Sequence, residues 1–304
     1  PQQSKKADFK MQVIENDKFK AAIDEHGAQL PHLYNKDDDF DYIWNNDPVW
    51  PKHCPVLFPA IGRSEKDKYF YNGQEYEMPQ HGFAADQDFK VETNDGTKLV
   101  LSLTDNEQTR KYYPFSFKLT ITWTLTDAGL TFHFDVQNTG DKTMSFALGS
   151  HPAFNIPING EGEFDDYQLD FEPAGLDLKQ YEIVKTPNPY RDGKVIKLAA
   201  ANGSHIDLNH DMYEDGLIII ENNGITGVTL SSPKTKHSIH LNLDDFRYFC
   251  TWTKEGANAP FVCLEPFAGL PDIAGHEVDI MDKEGNLKLA AGETKPFEYT
   301  ITLK

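Results

Sequence analysis

Hydrophobic and polar residues alternate strictly over long stretches of this chain. From Phe115 to Thr126, every odd position is apolar and every even position is Ser, Lys or Thr. Because side chains along a strand point alternately to opposite faces, this pattern predicts a long antiparallel strand. The alternation resumes from Leu130 to Val136, after the polar turn Thr126–Gly129, and so predicts a hairpin.

Segments of strand composition recur from one end of the chain to the other, separated by Gly, Asn, Asp and Pro. They are Lys98–Leu103, Thr143–Leu148, Tyr167–Phe171, Leu217–Ile220, Ile225–Leu230, Ser238–Leu243, Phe246–Trp252 and Phe297–Leu303. A short helix is expected only near His205–Tyr213, and Thr186–Lys194 predicts an exposed loop. The sequence has no low-complexity linker and no repeat, which predicts an all-β fold, a large antiparallel sandwich, as one domain over residues 1–304.

The chain is strongly acidic. Its 304 residues include 48 Asp and Glu against 29 Lys and Arg, a formal net charge of -19. Such a surface repels phosphate backbones and anionic membranes, so neither nucleic acid nor membrane is expected as a partner. The chain has four arginines, Arg63, Arg110, Arg191 and Arg247, and any of them inside a pocket would be distinctive.

The cysteines and the N-terminus bear on location. Cys54, Cys250 and Cys263 are odd in number and form no close pair, which predicts buried free thiols in a reducing compartment. No run of about 18 apolar residues suits a membrane span, and no apolar leader segment opens the chain, so a cytoplasmic location is expected. Residues 1–8 are polar and lack an initiator Met, which predicts a frayed end or a remnant of cloning.

Glu265 is the most unusual residue of the sequence. It ends the apolar run Phe261–Leu264 and is followed by Pro266, Gly269 and Pro271. Burying a carboxylate without a partner costs several kcal/mol or shifts its pKa. The position therefore predicts one wall of a binding or catalytic site.

Two further segments combine polar residues with Gly, Pro and aromatic neighbours. One is Gly62-Arg63 with its continuation Gln80–Ala84, which contains His81; the other is Leu148–Asn155, in which Pro152 follows His151 and restricts the backbone. Taken singly, either histidine can be structural and Arg63 can belong to a surface ion pair.

Cofactor and metal motifs are absent from the sequence. The closest histidine pair, His237 and His240, would point to opposite faces of a strand, so no metal site is predicted. No Gly-rich phosphate loop and no GxSxG motif occur, and no cofactor is expected.

Taken together, these motifs resemble a known family. The ordered set Gly62-Arg63, His81-Gly82-Phe83, Ser150–Asn155 and Leu264-Glu265-Pro266 is similar to that of the aldose 1-epimerase (galactose mutarotase) family, and most similar to the mutarotase-related proteins of bacterial sugar operons. The resemblance covers nearly the whole chain and implies a large β-sandwich. It also implies interconversion of the α and β anomers of a free hexose by ring opening, without a cofactor.

The resemblance implies a role for each matching residue. Glu265 matches the family's base, which takes the proton of the C1 hydroxyl, and His151 matches its acid, which protonates the ring oxygen. His81 and Arg63 would bind the sugar oxygens, and Phe154 or Phe83 would offer the ring an apolar face.

This chain departs from the family pattern at two places. Better-known members carry Asn before the second His and an aromatic pair after it, whereas this chain has Ser150 before His151 and Pro152-Ala153 after it. The family also uses an Asp between the second His and the Glu; Asp215 is the candidate, with Asp207 and Asp211 as competitors.

Other functions stay open at this point. A hexose-6-phosphate 1-epimerase would need a basic pocket, for which Arg63, Lys66 and Lys68 are the nearest cluster. A non-catalytic carbohydrate-binding protein is the alternative of another class. Glycoside hydrolysis needs a second carboxylate, and no other acid has a context like that of Glu265. The preferred hexose and the oligomeric state are left undetermined.

Overall fold

The computed structural model describes residues 10–45, 48–184, 189–222 and 224–304, and strands dominate these residues. In chain order the strands are β1 (Met11–Glu15), β2 (Phe19–Asp24), β3 (His32–Asn35), β4 (Phe40–Asp41), β5 (Val56–Leu57), β6 (Lys68–Tyr71), β7 (Gln74–Glu77), β8 (Lys90–Asn94), β9 (Lys98–Thr104), β10 (Phe117–Thr126), β11 (Gly129–Asn138), β12 (Met144–Phe146), β13 (Leu148–Ser150), β14 (Ala153–Asn155), β15 (Gln168–Glu172), β16 (Lys179–Val184), β17 (Tyr190–Lys197), β18 (Ala201–Asn202), β19 (His205–Asp207), β20 (Ile218–Glu221), β21 (Gly227–Ser231), β22 (Ile239–Asn242), β23 (Tyr248–Trp252), β24 (Phe261–Ala268), β25 (Leu287–Leu289) and β26 (Thr294–Leu303). One α-helix, α1 (Glu107–Tyr112), is described. The 3-10 turns are Glu65–Asp67, Ala84–Asp86, Ile158–Gly160, Phe164–Asp166, Asp211–Tyr213 and Ile280–Asp282.

Two large antiparallel sheets form the body of the fold, so the predicted all-β sandwich is confirmed. The larger sheet has the strand order β18-β19-β15-β21-β22-β26-β11-β10-β9-β8. The other has the order β17-β16-β20-β23-β24-β13-β5, with β14 also paired to β24. The sheets meet face to face, for example where the Phe171 ring lies 5.5 Å from that of Phe249.

The predicted hairpin is confirmed as the pair β10–β11, in which Phe117 lies opposite Asn138 and Thr126 opposite Gly129. Its apolar side chains alternate inward, and Trp123 is fully buried. Burial of each such side chain stabilises the fold by about 1.5–3 kcal/mol, which explains why the period-two pattern determines which face is inside.

Three local predictions were wrong. The segment His205–Tyr213 is strand β19 followed by a 3-10 turn, because Ile206 is buried opposite Leu169 in the large sheet. Thr143–Leu148 is split between β12 and β13, which pair with different partners. Within the predicted loop Thr186–Lys194, residues 190–194 belong to strand β17 (Tyr190–Lys197), while residues 186–188 lie outside the described residues.

Helix α1 was not predicted, since it has six residues and no amphipathic period. A capping box holds its first turn: the Asn106 side chain accepts from the backbone of Thr109, and the Thr109 side chain accepts from that of Asn106. Residues 1–8, expected to be frayed, lie outside the described residues. That residues 1–304 form one domain stays a prediction.

Strand β24 holds Glu265, the buried carboxylate that the sequence singled out. All eight of its residues are buried, and Phe261, Cys263, Glu265 and Phe267 share one face at period two. Gly149 pairs with Phe267 and Ala153 with Cys263 in the neighbouring strands β13 and β14. His151 lies in the turn between them, so the sheet itself places His151 opposite Glu265.

Candidate active site

His151 and Glu265 form a buried pair. Nε2 of His151 lies 3.0 Å from Oε1 of Glu265. The two residues are only 7% and 1% exposed, and both line a cavity of about 590 Å³. The two segments that the sequence singled out separately therefore meet at one point, with room for a small ligand above them.

Burial sets the protonation of this pair. It raises the pKa of Glu265 well above its ordinary value, because water no longer solvates the carboxylate. Burial also lowers the pKa of His151 well below its ordinary value, and the nearby His81 adds to this effect. The neutral forms of both groups are favoured, so the pair holds one proton between Nε2 and Oε1.

His81 lies on the same cavity wall, with its ring centroid 5.7 Å from that of His151. Burial, with a smaller contribution from the Lys52 charge, lowers the pKa of His81 to about 4. The neutral ring accepts a hydrogen bond at Nδ1 from the Gly62 backbone N–H, at 2.8 Å. Nε2 must then carry the ring proton, which makes His81 a donor for a ligand oxygen.

Backbone geometry holds His81 in place. Its φ of 63° lies in the left-handed region, which non-glycine residues seldom adopt. Its own N–H donates to the Gly62 carbonyl, so the two residues are joined in both directions. Gly62 packs so closely on Pro271 that a Cβ there would lie 2.5 Å from the proline ring. The Gly62 segment therefore links His81 to the loop that follows β24.

Two tryptophans form the apolar side of the cavity, and neither was predicted from the sequence. The Trp50 ring stacks on His151 with centroids 4.9 Å apart, and Trp252 meets His151 edge to face at 5.9 Å. The indole N–H of Trp252 donates to Glu255 at 2.9 Å. The available signal was that Trp50 precedes a proline and that Trp252 ends a strand, where an aromatic ring can face a ligand.

The other predicted sugar-binding residues, with Phe83 as the alternative to Phe154, do not line this cavity. Arg63 donates to both carboxylate oxygens of Asp67, at 2.7 and 2.8 Å, in a neighbouring surface cavity that shares Pro79 and Gln80 with this one. Asp215 is exposed in the turn before β20 and is not a lining residue of the site. Phe154 is fully buried in the core, and Phe83 is 2% exposed among other aromatic rings. Glu265, His151 and His81 are brought together, whereas these residues are not.

Behind the pair, a short polar network supports the turn that carries His151. Ser150 Oγ lies 2.6 Å from the Tyr299 hydroxyl, and Cys54 Sγ lies 3.7 Å from Ser150 Oγ. Burial raises the pKa of the Cys54 thiol to about 12, so it is not ionised near neutral pH. The prediction of buried free thiols is confirmed for Cys54, Cys250 and Cys263.

The raised pKa of Glu265 makes stability depend on pH. A carboxyl whose folded pKa is raised contributes stability that is present below about pH 4.5 and is lost as pH rises through the folded pKa. We expect the unfolding free energy of the wild type to fall relative to that of Glu265→Gln, by up to about 1.4 kcal/mol per pH unit. Urea unfolding of both proteins from about pH 4.5 upward checks this, because the loss begins at the unfolded-state pKa and ends at the folded one.

The exposed-site variant Glu214→Gln is the control, and its unfolding free energy should follow the wild type at every pH. His151 acts in the opposite sense: its lowered pKa contributes stability that is present above about pH 6.5 and is lost below it. Parallel pH curves for the wild type and Glu265→Gln would contradict the raised pKa.

Within the residues described here, no helix has the length and apolar character that crossing a bilayer requires.

Known proteins are similar to this chain over most of its length. The family model for aldose 1-epimerase matches residues 10–286. The chain is 27% identical to the plasmid-encoded protein LacX of Lactococcus lactis subsp. lactis over 289 residues, which is 91% of this chain and 94% of LacX.

Solved structures of mutarotase-like proteins are also similar to this chain. A galactose mutarotase-like protein from Lactobacillus casei is 43% identical with a TM-score of 0.92, covering 97% of this chain and 100% of that one. A galactose mutarotase related enzyme from Lactobacillus acidophilus is 30% identical with a TM-score of 0.89, covering 97% of each chain.

Proposed function

The chain belongs to the aldose 1-epimerase family, and from that premise we propose that it interconverts the α and β anomers of a free hexose through Glu265 and His151. The observation that carries the proposal is the 3.0 Å contact between Nε2 of His151 and Oε1 of Glu265 on the wall of a cavity. Ring opening needs one group to take a proton and another to deliver one, and this pair can do both.

The proton count of the pair suits this reaction. In the ionic form, Glu265 takes the C1 hydroxyl proton while protonated His151 gives its proton to the ring oxygen, and the C1 to ring-oxygen bond breaks. The open aldehyde then faces a neutral acid and a neutral imidazole. After rotation about C1–C2, both transfers run in reverse and restore the starting pair.

Burial of the pair favours the ring-opening step. It favours the neutral forms of Glu265 and His151, and that is the state that accompanies the open sugar. His151 and Glu265 must separate for the sugar to enter. The C1 hydroxyl then takes the place of His151 beside Glu265, and the ring oxygen takes the place of Glu265 beside His151. The enzyme thereby returns to the same protonation state after each turnover.

The remaining walls support a sugar as ligand. His81 offers its Nε2 proton to a sugar oxygen, since its Nδ1 already accepts from Gly62. Trp50 and Trp252 offer aromatic surface to the C–H face of a pyranose ring, the role that the resemblance implied for Phe154 or Phe83.

Charge at the site favours a hexose without a phosphate. The cluster considered for a phosphate, Arg63, Lys66 and Lys68, is already paired: each cation contacts a carboxylate, on Asp67, Glu277 and Glu75 respectively. At the cavity itself, Lys52 and Lys254 are balanced by Asp86 and Glu255. A phosphate dianion would therefore meet little uncompensated positive charge.

Location follows from the thiols. Three buried free cysteines suit a reducing compartment, and we propose the cytoplasm.

Polarimetry of freshly dissolved α-galactose and α-glucose tests the proposed activity. We expect catalytic amounts of the protein to speed the approach to anomeric equilibrium for at least one of these sugars. Galactose 6-phosphate, assayed in parallel, should be equilibrated less efficiently because of the charge balance at the cavity. Equilibration no faster than in buffer for both free sugars would contradict the proposal, and preference for the phosphate would favour the hexose-6-phosphate epimerase.

A further inference from the structure

One group of metal-ligand side chains lies directly beneath the cavity. Among the described residues, His151, Cys263 and Glu265 each bring one donor atom within 4.8 Å of the other two, and all three are buried. Cys263 and Glu265 are two positions apart on β24 and share a face, while His151 reaches them from the turn after β13. Sequence spacing predicted no metal here because the third ligand lies more than a hundred residues away.

Within the described part of the chain, two polar atoms of this group lack a strong hydrogen-bond partner. Oε2 of Glu265 is buried and has no hydrogen-bond partner beyond the weak thiol of Cys250. Nδ1 of His151 is buried without a partner as well. Leaving a buried polar atom unpaired costs about 1–3 kcal/mol, and a cation would satisfy the carboxylate.

The donor set selects the metal. One imidazole nitrogen, one thiolate and one carboxylate suit Zn²⁺, which binds such ligands tetrahedrally at about 2.0–2.3 Å. Those bond lengths place tetrahedral ligands about 3.3–3.8 Å apart, so side-chain shifts of about an ångström would close the group around an ion. The fourth position would face the cavity, and the net charge of -19 favours approach of a cation.

We propose that Zn²⁺ binds to His151, Cys263 and Glu265 and competes with the sugar. Binding forms one bond from the metal to each side chain and releases two protons to solvent, the one shared by His151 and Glu265 and the thiol proton of Cys263. No electron is transferred. The metal is an inhibitor, because it occupies both groups that transfer protons. Only the competition with sugar rests on the proposed function; the binding of the metal does not.

Cobalt replaces zinc as a spectroscopic probe of the site. Co²⁺ added to the intact protein, in a buffer free of chelators and thiols, should produce a thiolate-to-metal charge-transfer band that Zn²⁺ abolishes. Cys263→Ala should lose the band and bind Zn²⁺ more than roughly tenfold more weakly, measured by competition with a colorimetric chelator. Cys54→Ser, which replaces a buried thiol outside the donor set by a hydroxyl that can keep the contact with Ser150 Oγ, is the control and should keep both.

Each outcome decides the proposal. Absence of the band in the wild type, or its persistence in Cys263→Ala, would overturn the site. If Cys263→Ala does not fold, Cys263→Ser is used, because the hydroxyl keeps the size of the side chain and is a far weaker ligand.

The effect of Zn²⁺ on turnover of the hexose is measured separately. Zn²⁺ should raise the apparent KM for the hexose without changing kcat, and EDTA should reverse this. A cobalt band with no mutarotation of any hexose would leave the metal site intact while the proposed function fails. Zinc inhibition that is indifferent to sugar concentration would overturn the competition.

Discussion

Glu265→Gln should lower kcat for mutarotation by roughly 10²-fold or more, because the variant has no group that can take the C1 hydroxyl proton. The amide has nearly the same shape and can still hydrogen-bond Nε2 of His151, now 3.0 Å from Oε1. It also removes an ionisable group from a site that is 1% exposed, so the fold should be retained. The measurement is polarimetry under saturating sugar, with circular dichroism to verify folding.

The matched control for this variant is Glu214→Gln, the same substitution at an exposed position outside the cavity. It should equilibrate the sugar at the wild-type rate. KM should change much less than kcat in Glu265→Gln, because the proton transfer and not the binding of the sugar is lost. Unchanged turnover would remove Glu265 from the mechanism and leave the protein as a carbohydrate-binding module.

His151→Asn should also lower kcat by roughly 10²-fold or more, since Asn cannot deliver a proton to the ring oxygen. The shape of the pH profile adds a sharper test. The wild type should show two limbs, because the pair must hold one proton between them. In the variant the residual rate should rise with pH to a plateau, because ionisation of Glu265 is the one titration left in the pair.

For this second variant, His276→Asn is the control, at an exposed loop position away from the cavity. His151 also packs against Trp50, so the stacking contact is lost together with the proton donor. A structural effect alone would raise KM and leave the two-limbed profile in place. Retention of both limbs with a normal kcat would exclude His151 as the acid.

The sequence predicted the central pair for physical reasons. Glu265 interrupts an apolar strand, and burying a charge there costs free energy unless a partner or a ligand compensates it. His151 precedes a proline that restricts the turn. Both signals are local, because they depend on what a single segment can bury. The order of the motifs then linked the two to a family, and the match to residues 10–286 confirmed that link.

The predicted sugar-binding roles of Arg63 and Phe154 stay predictions, and the structure places both side chains away from the His151–Glu265 pair. Arg63 was expected at the sugar, but Asp67, four residues away, holds its guanidinium. Phe154 was expected as the stacking surface, yet the alternation of β14 turns it into the core. Trp50 and Trp252 line the cavity instead, and the local signals at these positions, a following proline and a strand end, do not by themselves distinguish a cavity-facing tryptophan from a core one.

The sequence by itself determined which face of the long alternating strands β10 and β11 is buried, because a period of two allows one face to be buried and a shift of one residue exposes every apolar side chain. It also identified Glu265, through the cost of burying a carboxylate. Only the tertiary structure decided which groups meet. His151 lies opposite Glu265 because β13 and β14 both pair with β24, which is a long-range choice of strand partners. The same pairing brings His151 to Cys263, and no spacing along the chain encodes such a contact.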